Sequence, residues 1–344
     1  MTITLDGTLG ITSPTYGGAV TAEYSVPVTN FKNRIINGGM NTDQRNAAAS
    51  QTFTAAAALA YSVDRWYGYC TGANVTGQKI AGGTTPTVTQ NRYRFTGAAS
   101  VTAVGFGQRI EQKNSYDLAG STCTLSADLG ISATLTTVTW TAYYATTTAD
   151  TFGSLASPTV TSIATGTFTV GATVTNFSTN ISIPAAATTG IQILFTVGAL
   201  TSGLTWTIGN VQLEKGSTAT SFDFRDYGRE LAMCQRYYFR TTPVAGDRYA
   251  PGFNSSTIQG KFVSYYPVPM RIAPTAMETS GTATDYSIEI GGTVITANAV
   301  PSLNSNTINS ASFQIAVASG LTANGGSFAR SVTTNGYLGW SAEL

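Results

Sequence analysis

The chain has 344 residues, 42% of them hydrophobic and only 10% charged, with a formal net charge of +1 and no histidine. Globular domains usually carry about 25% charged residues, so the polar surface must come from Thr, Ser, Asn, Gln and Gly. The lack of histidine excludes Ser–His–Asp triads, Cys–His pairs and most zinc sites, and the lack of any Lys/Arg run excludes a stripe that neutralises phosphates.

No apolar run reaches the length of a membrane-spanning helix. The opening Met1-Thr-Ile-Thr-Leu-Asp is polar and alternating, unlike a signal peptide, so synthesis in the cytoplasm without export is expected. The length suits two ordinary domains, or one large domain with an arm. Abundant Thr favours pleated strands, and 36 glycines supply turns. An all-β chain follows.

Residues 1–30 read as an extended arm. Thr2-Ile-Thr-Leu alternates as one strand, Asp6-Gly7 marks a turn, and Gly10-Ile-Thr-Ser-Pro-Thr-Tyr-Gly-Gly has little capacity to form a core. Such a segment orders on a neighbour or stays disordered.

From 31 to 225 period-2 runs alternate with turn clusters. Leu125, Ala127 and Leu129 face away from Thr124, Ser126 and Asp128, while Val138, Trp140, Ala142 and Tyr144 oppose Thr137, Thr139, Thr141 and Tyr143. Ile191, Ile193, Phe195 and Val197 form a third run, and Leu204, Trp206 and Ile208 a fourth. With no helical crossovers between them, these runs predict antiparallel sheets packed as a jelly roll or β-sandwich.

Asp226 is placed to cap a short linking helix within 226–240, with Tyr227, Leu231, Cys234 and Tyr238 on one face. Strands resume over 241–344 as a second, smaller β-sandwich. There Pro267, Pro269 and Pro274 exclude a central strand, and Gly336–Leu344 reads as the last strand. Cys70, Cys123 and Cys234 form no CxxC pair, and Cys123 sits on the apolar side of its run as a reduced core thiol.

Three segments resemble tailed-bacteriophage tail-fibre and virion appendage proteins. Asn33-Arg-Ile-Ile-Asn-Gly-Gly-Met-Asn-Thr-Asp-Gln-Arg followed by Tyr61-Ser-Val-Asp-Arg-Trp-Tyr is similar to the opening of a galactose-binding-like, carbohydrate-binding-module-like jelly roll. Asn210-Val-Gln-Leu-Glu-Lys-Gly through Phe222-Asp-Phe-Arg is similar to its last strand and exit. Tyr266-Pro-Val-Pro-Met-Arg-Ile-Ala-Pro-Thr with the terminal Trp340-Ser-Ala-Glu-Leu resembles the small β-domain that follows. The start Leu5-Asp-Gly-Thr-Leu-Gly-Ile-Thr also resembles fibre-protein starts.

The resemblance implies a virion protein acting in host attachment and particle assembly. It further implies a homotrimer joined to other tail or adaptor proteins through the arm, with Thr2, Ile3, Leu5 and Ile11 as anchoring residues. A host surface glycan is the implied external partner. The alternatives are a tailspike depolymerase, or a carbohydrate-binding protein outside a virion.

Candidate chemistry is sparse. Tyr67, Tyr69 and Tyr143 offer rings for sugar stacking, with Tyr143 on the threonine face and Tyr144 beside Trp140 in the core. In Asp64-Arg65-Trp66 the ring is expected to fill the core and one charge to tie down a loop. Asp43, Asp128, Asp150 and Glu214 are oxygen donors without an EF-hand pattern, and Glu111, Glu214, Asp223 and Asp226 show no spacing that marks a glycosidase pair. No enzyme, cofactor, metal, nucleic-acid or membrane function is therefore expected.

Overall fold

In the computed structural model the described residues are 4–6, 10–12, 32–56, 58–82, 90–132, 134–241 and 244–344. The chain divides into two units, Met1–Lys32 and Asn33–Leu344. In the first, β1 (Thr4–Asp6) and β2 (Gly10–Thr12) pair antiparallel with Leu5 opposite Ile11. The expected anchoring residues Thr2 and Ile3 lie outside the described residues. Asp6, expected in the turn, ends the strand instead.

Among its described residues the second unit is antiparallel β, apart from one α-helix and short 3-10 turns. Its strands begin with β3 (Gln51–Phe53), β4 (Ala60–Tyr61), β5 (Tyr67–Thr71), β6 (Val75–Gly82), β7 (Gln90–Thr96) and β8 (Ala103–Ile110). They continue as β9 (Thr122–Ile131), β10 (Thr137–Ala145), β11 (Val160–Thr169), β12 (Thr175–Ser182), β13 (Ile191–Val197) and β14 (Thr205–Lys215). A front sheet of order β11-β10-β13-β8-β5-β4 faces a back sheet of order β12-β9-β14-β7-β6-β3. Neighbours distant in sequence, such as β8 beside β13, mark a crossed jelly-roll topology rather than a meander.

Alternation places Val138, Trp140 and Ala142 of β10 and Ile191, Ile193 and Phe195 of β13 inward. There they meet Leu125, Ala127 and Leu129 of β9 in one core. Its aromatic centre is a stack, with Trp66 on Phe106 at 4.8 Å, Tyr93 on Phe106 at 4.9 Å and Phe95 on Trp206 at 5.4 Å between ring centroids. Trp66 fills the core as expected and donates its Nε1 proton to the Asn37 carbonyl at 3.1 Å. All three cysteines are buried free thiols.

Helix α1 (Tyr227–Gln235) starts at Asp226, whose carboxylate accepts the Arg229 amide at 3.2 Å. Its buried residues are Glu230 and Cys234, whereas Tyr227, expected on the buried face, is 58% exposed. The reason is that α1 packs through a single ridge on Ile36 and Tyr237, so the first turn projects beyond the contact. Tyr238, expected at the helix end, is buried in the following strand.

That strand, β15 (Tyr238–Arg240), opens the C-terminal part, which continues through β16 (Arg248–Asn254), β17 (Gln259–Tyr265), β18 (Met277–Thr279), β19 (Tyr286–Ile290) and β20 (Thr293–Thr296). β21 (Ser302–Asn306), β22 (Ser310–Ala316), β23 (Gly326–Ser331) and β24 (Leu338–Ser341) complete it. A three-stranded sheet β15-β24-β18 and a seven-stranded sheet β20-β19-β23-β16-β17-β22-β21 share a core of Phe262, Tyr286, Ile288, Phe313, Leu338 and Trp340. The proline-rich 266–276 stretch forms no strand, central or edge. No helix among the described residues is long and apolar enough to cross a membrane.

Candidate functional site

The front sheet turns its second face outward. On β5 alternation sends Tyr67, Tyr69 and Thr71 out, opposite the buried Gly68 and Cys70. Register then carries the row across the sheet. Tyr67 lies opposite Gly107 and Tyr69 opposite Gly105 on β8, Arg109 opposite Gln192 on β13, and Gln192 opposite Tyr143 on β10.

The two glycines give the tyrosines room. A Cβ on Gly105 would sit 2.2 Å from the Tyr69 ring, and one on Gly107 would sit 2.6 Å from the Tyr67 hydroxyl. Only a bare backbone lets both rings lie across β8.

Between these residues and the loop joining β10 to β11 is a shallow depression of about 180 Å³, lined by Tyr67, Arg109, Tyr143, Leu155, Gln192 and Leu194. Arg109 is held on three sides. Its Nε donates to Gln192 Oε1 at 3.0 Å, Nη1 to the Leu344 carbonyl at 2.8 Å and Nη2 to the Gly153 carbonyl at 2.8 Å. It therefore acts as a brace that fixes Gln192 and the loop, rather than as a free cation for a ligand. What remains open is the Tyr143 edge, the exposed Ser154 and apolar walls, set around a Gln192 amide that is only 7% exposed, a surface suited to an uncharged ligand with hydroxyls.

Of the three expected glycan residues, Tyr143 and Tyr69 are half-buried on this face. Tyr67 is corrected from a stacking platform to the floor, because it is 1% exposed. Arg109 lies 5.4 Å from its ring centroid and Tyr61 packs edge-on at 6.2 Å, closing it off from solvent. Burial also drives the Tyr67 hydroxyl well above the usual tyrosine pKa, so it stays protonated. Sequence reasoning missed Gln192, Leu194 and Arg109. The alternation of β13 marks Gln192 and Leu194 as outward-facing, but their alignment with Tyr143 depends on a pairing between remote strands.

The trio Asp64-Arg65-Trp66 lies in a turn, with Arg65 at φ +73°, and all three side chains are buried. Arg65 pairs with Glu343, donates to the Arg109 carbonyl at 2.6 Å and lies 3.5 Å over the Tyr237 ring. Asp64 accepts the Gln44 amide at 2.9 Å and its side-chain Nε2 at 2.6 Å.

The other carboxylates have local duties. Asp43 caps a turn at the amides of Asn46 and Ala48, at 3.0 and 2.7 Å. Asp128 accepts from Asn176 and Asn210, and Asp150 from the Gln112 amide. Glu214 accepts from Thr220, and Glu111 is bonded by Arg236 and Tyr237 at 2.9 Å each. Among the described residues no three His, Cys, Asp or Glu side chains converge as a metal site.

No protein-family profile and no curated protein matches the sequence. Among solved structures, the chain is similar to the enzymatically active domain of bacteriophage CBA120 tailspike protein 4, at 16% identity and a TM-score of 0.34 over 54% of this chain and 21% of that one. It spans about a fifth of that tailspike's length. It is also similar to a CBM4 module at 15% identity and a TM-score of 0.29, over 52% of this chain and 98% of that one. The CBM22-2 xylan-binding domain from Paenibacillus barcinonensis Xyn10C aligns at 11% identity and a TM-score of 0.30, over 44% of this chain and 92% of that one.

Proposed function

We propose that the chain is a non-catalytic structural and adhesive component of a phage virion appendage, and that its jelly roll binds a neutral host-surface glycan on the outer face of the front sheet. The observation that carries the glycan reading is the depression at Tyr143, Gln192 and Leu194, where a half-buried ring, a fixed amide and apolar walls meet without a free charge. Sugars present an apolar face and a rim of hydroxyls, and this surface matches both. The virion reading is supported by the ordered fibre-like motifs at 33–67, 210–225 and 266–275 and by the low charge, which suits broad faces between copies. In this reading the 1–30 arm attaches the chain to the particle.

Titration of the purified full chain with host surface polysaccharide is expected to show binding without release of reducing sugar. Tyr143→Ala should weaken that binding about tenfold, the value of roughly 1.4 kcal/mol of lost contact. Turnover abolished by a Glu or Asp substitution would overturn the non-catalytic reading, and unchanged affinity in Tyr143→Ala would remove the site from this face.

The assembly we propose is a homotrimer, since a three-fold axis lets sandwich flanks pair without open-ended growth. Sedimentation equilibrium of the full chain at micromolar concentration should return the mass of three chains. A mass of one or two chains rejects it.

A further inference from the structure

A second pocket, of about 330 Å³, lies where the jelly roll meets the three-stranded sheet. Arg45 and Tyr61 line it from the jelly roll, Tyr238 and Arg240 from β15, Glu278 from β18, and Tyr337 from the approach to β24. The size is that of a small-molecule site, at the low end of the usual ~300–1,000 Å³.

Its charges are unevenly paired. Arg45 stacks 3.4 Å over the Tyr238 ring and donates to Glu278 Oε1 at 3.0 Å, while the Tyr238 hydroxyl donates to Glu278 Oε2 at 2.8 Å. Arg240 stacks 3.5 Å over the Tyr337 ring and donates through Nη1 to the Arg45 carbonyl. Among the described residues Arg240 makes no ion pair, and its Nε is buried without an acceptor. Arg45 and Glu278 offset one another, so the wall keeps the positive charge of Arg240. With Nη1 on the Arg45 carbonyl and Nε enclosed, Nη2 is the guanidinium nitrogen left for a ligand, and a carboxylate is the group that gains most from one charge-assisted bond to it.

We propose that this pocket binds an acidic saccharide unit of the hexuronate type, its carboxylate on Arg240 and its hydroxyls on Glu278. Glu278 lines the pocket and is 42% exposed at its side chain, and a carboxylate whose two oxygens each accept one bond still has lone pairs to offer. The same carboxylate disfavours a doubly charged phosphate, whereas a singly charged sugar acid tolerates it and uses it. The site is separate from the outer-face depression and does not depend on it.

The test is calorimetric titration of the full chain with sodium glucuronate, the neutral methyl ester of glucuronate, methyl glucoside, sodium acetate and inorganic phosphate. Saturable binding of glucuronate is expected, with every other probe about tenfold weaker or worse. Arg240→Gln should lose glucuronate binding about tenfold or more at an unchanged melting temperature, while Tyr143→Ala leaves it intact. The methyl ester removes the ligand's charge without touching the protein, so it decides the matter even where a variant fails to fold. Equal binding of ester and acid, unchanged binding by a folded Arg240→Gln, or loss of binding in Tyr143→Ala would each overturn the assignment.

Discussion

Arg65→Ala is expected to lower the unfolding free energy by about 3–5 kcal/mol, the cost of stranding one partner of a buried ion pair. Arg65 is 1% exposed and the Glu343 side chain 4%, so solvent screens neither. Truncation leaves Glu343 with Arg45 alone, at 3.8 Å. It also strips the Arg109 carbonyl of its donor and uncovers the Tyr237 ring. Alanine shares with arginine the strained φ of +73°, so the change isolates the side chain.

The pair also has a structural consequence, because it ties a turn of the jelly roll to the end of the C-terminal sheet. Arg271 donates to the Ala342 and Glu343 carbonyls at 2.8 Å each, and Tyr61 to the Leu344 carbonyl at 2.6 Å, on the same short segment. Urea unfolding of the wild type, Arg65→Ala, Glu343→Ala and the double variant gives the coupling energy directly. The double variant should be more stable than the sum of the singles predicts, since it strands no charge. A loss below about 1 kcal/mol in Arg65→Ala would show that the pair contributes no more than an exposed one.

The fold was legible wherever one strand decides the outcome. Val138, Trp140 and Ala142 alternate with threonines because one face of β10 meets Phe195 and Ile193 and the other meets water. Asp226 marked the start of α1 because capping is a local hydrogen bond. Legibility stopped at features set by remote partners. Tyr67 looks like Tyr69 in sequence, yet Arg109 and Tyr61 cover one ring and leave the other half open. Nothing local in Asp64-Arg65-Trp66 signals a non-glycine turn with positive φ, so the burial of both charges could not be read from the sequence. The partner of Arg65 lies 278 residues away, and the expected last strand at Gly336–Leu344 gave no hint that its final residues leave the sheet to meet arginines. The seam pocket was invisible for the same reason, since Arg45 and Glu278 are 233 residues apart.

The contribution of Asp64 to stability is expected to fall as pH rises from about 4 to about 7, by a few kcal/mol in all, and Asp64→Asn should remove that part of the pH dependence. Asp64 is enclosed, and burial pushes its carboxyl up to about 7. The two hydrogen bonds from Gln44 and the Arg45 charge pull the other way, while Glu343 adds to the rise. In the unfolded chain the same group titrates near the ordinary aspartate value of about 3.9. Between those values the folded state holds a proton that the unfolded state has released, so each rise in pH favours unfolding. The stabilisation is complete below pH ~4, declines through the window and is gone above the folded-state value. With no histidine in the sequence, no imidazole titration overlaps the change. Urea midpoints at half-unit pH steps for wild type and Asp64→Asn give the difference curve, in which groups common to both cancel. A difference curve that is flat or rises across the window would show that the Asp64 carboxyl is ionised in the folded protein.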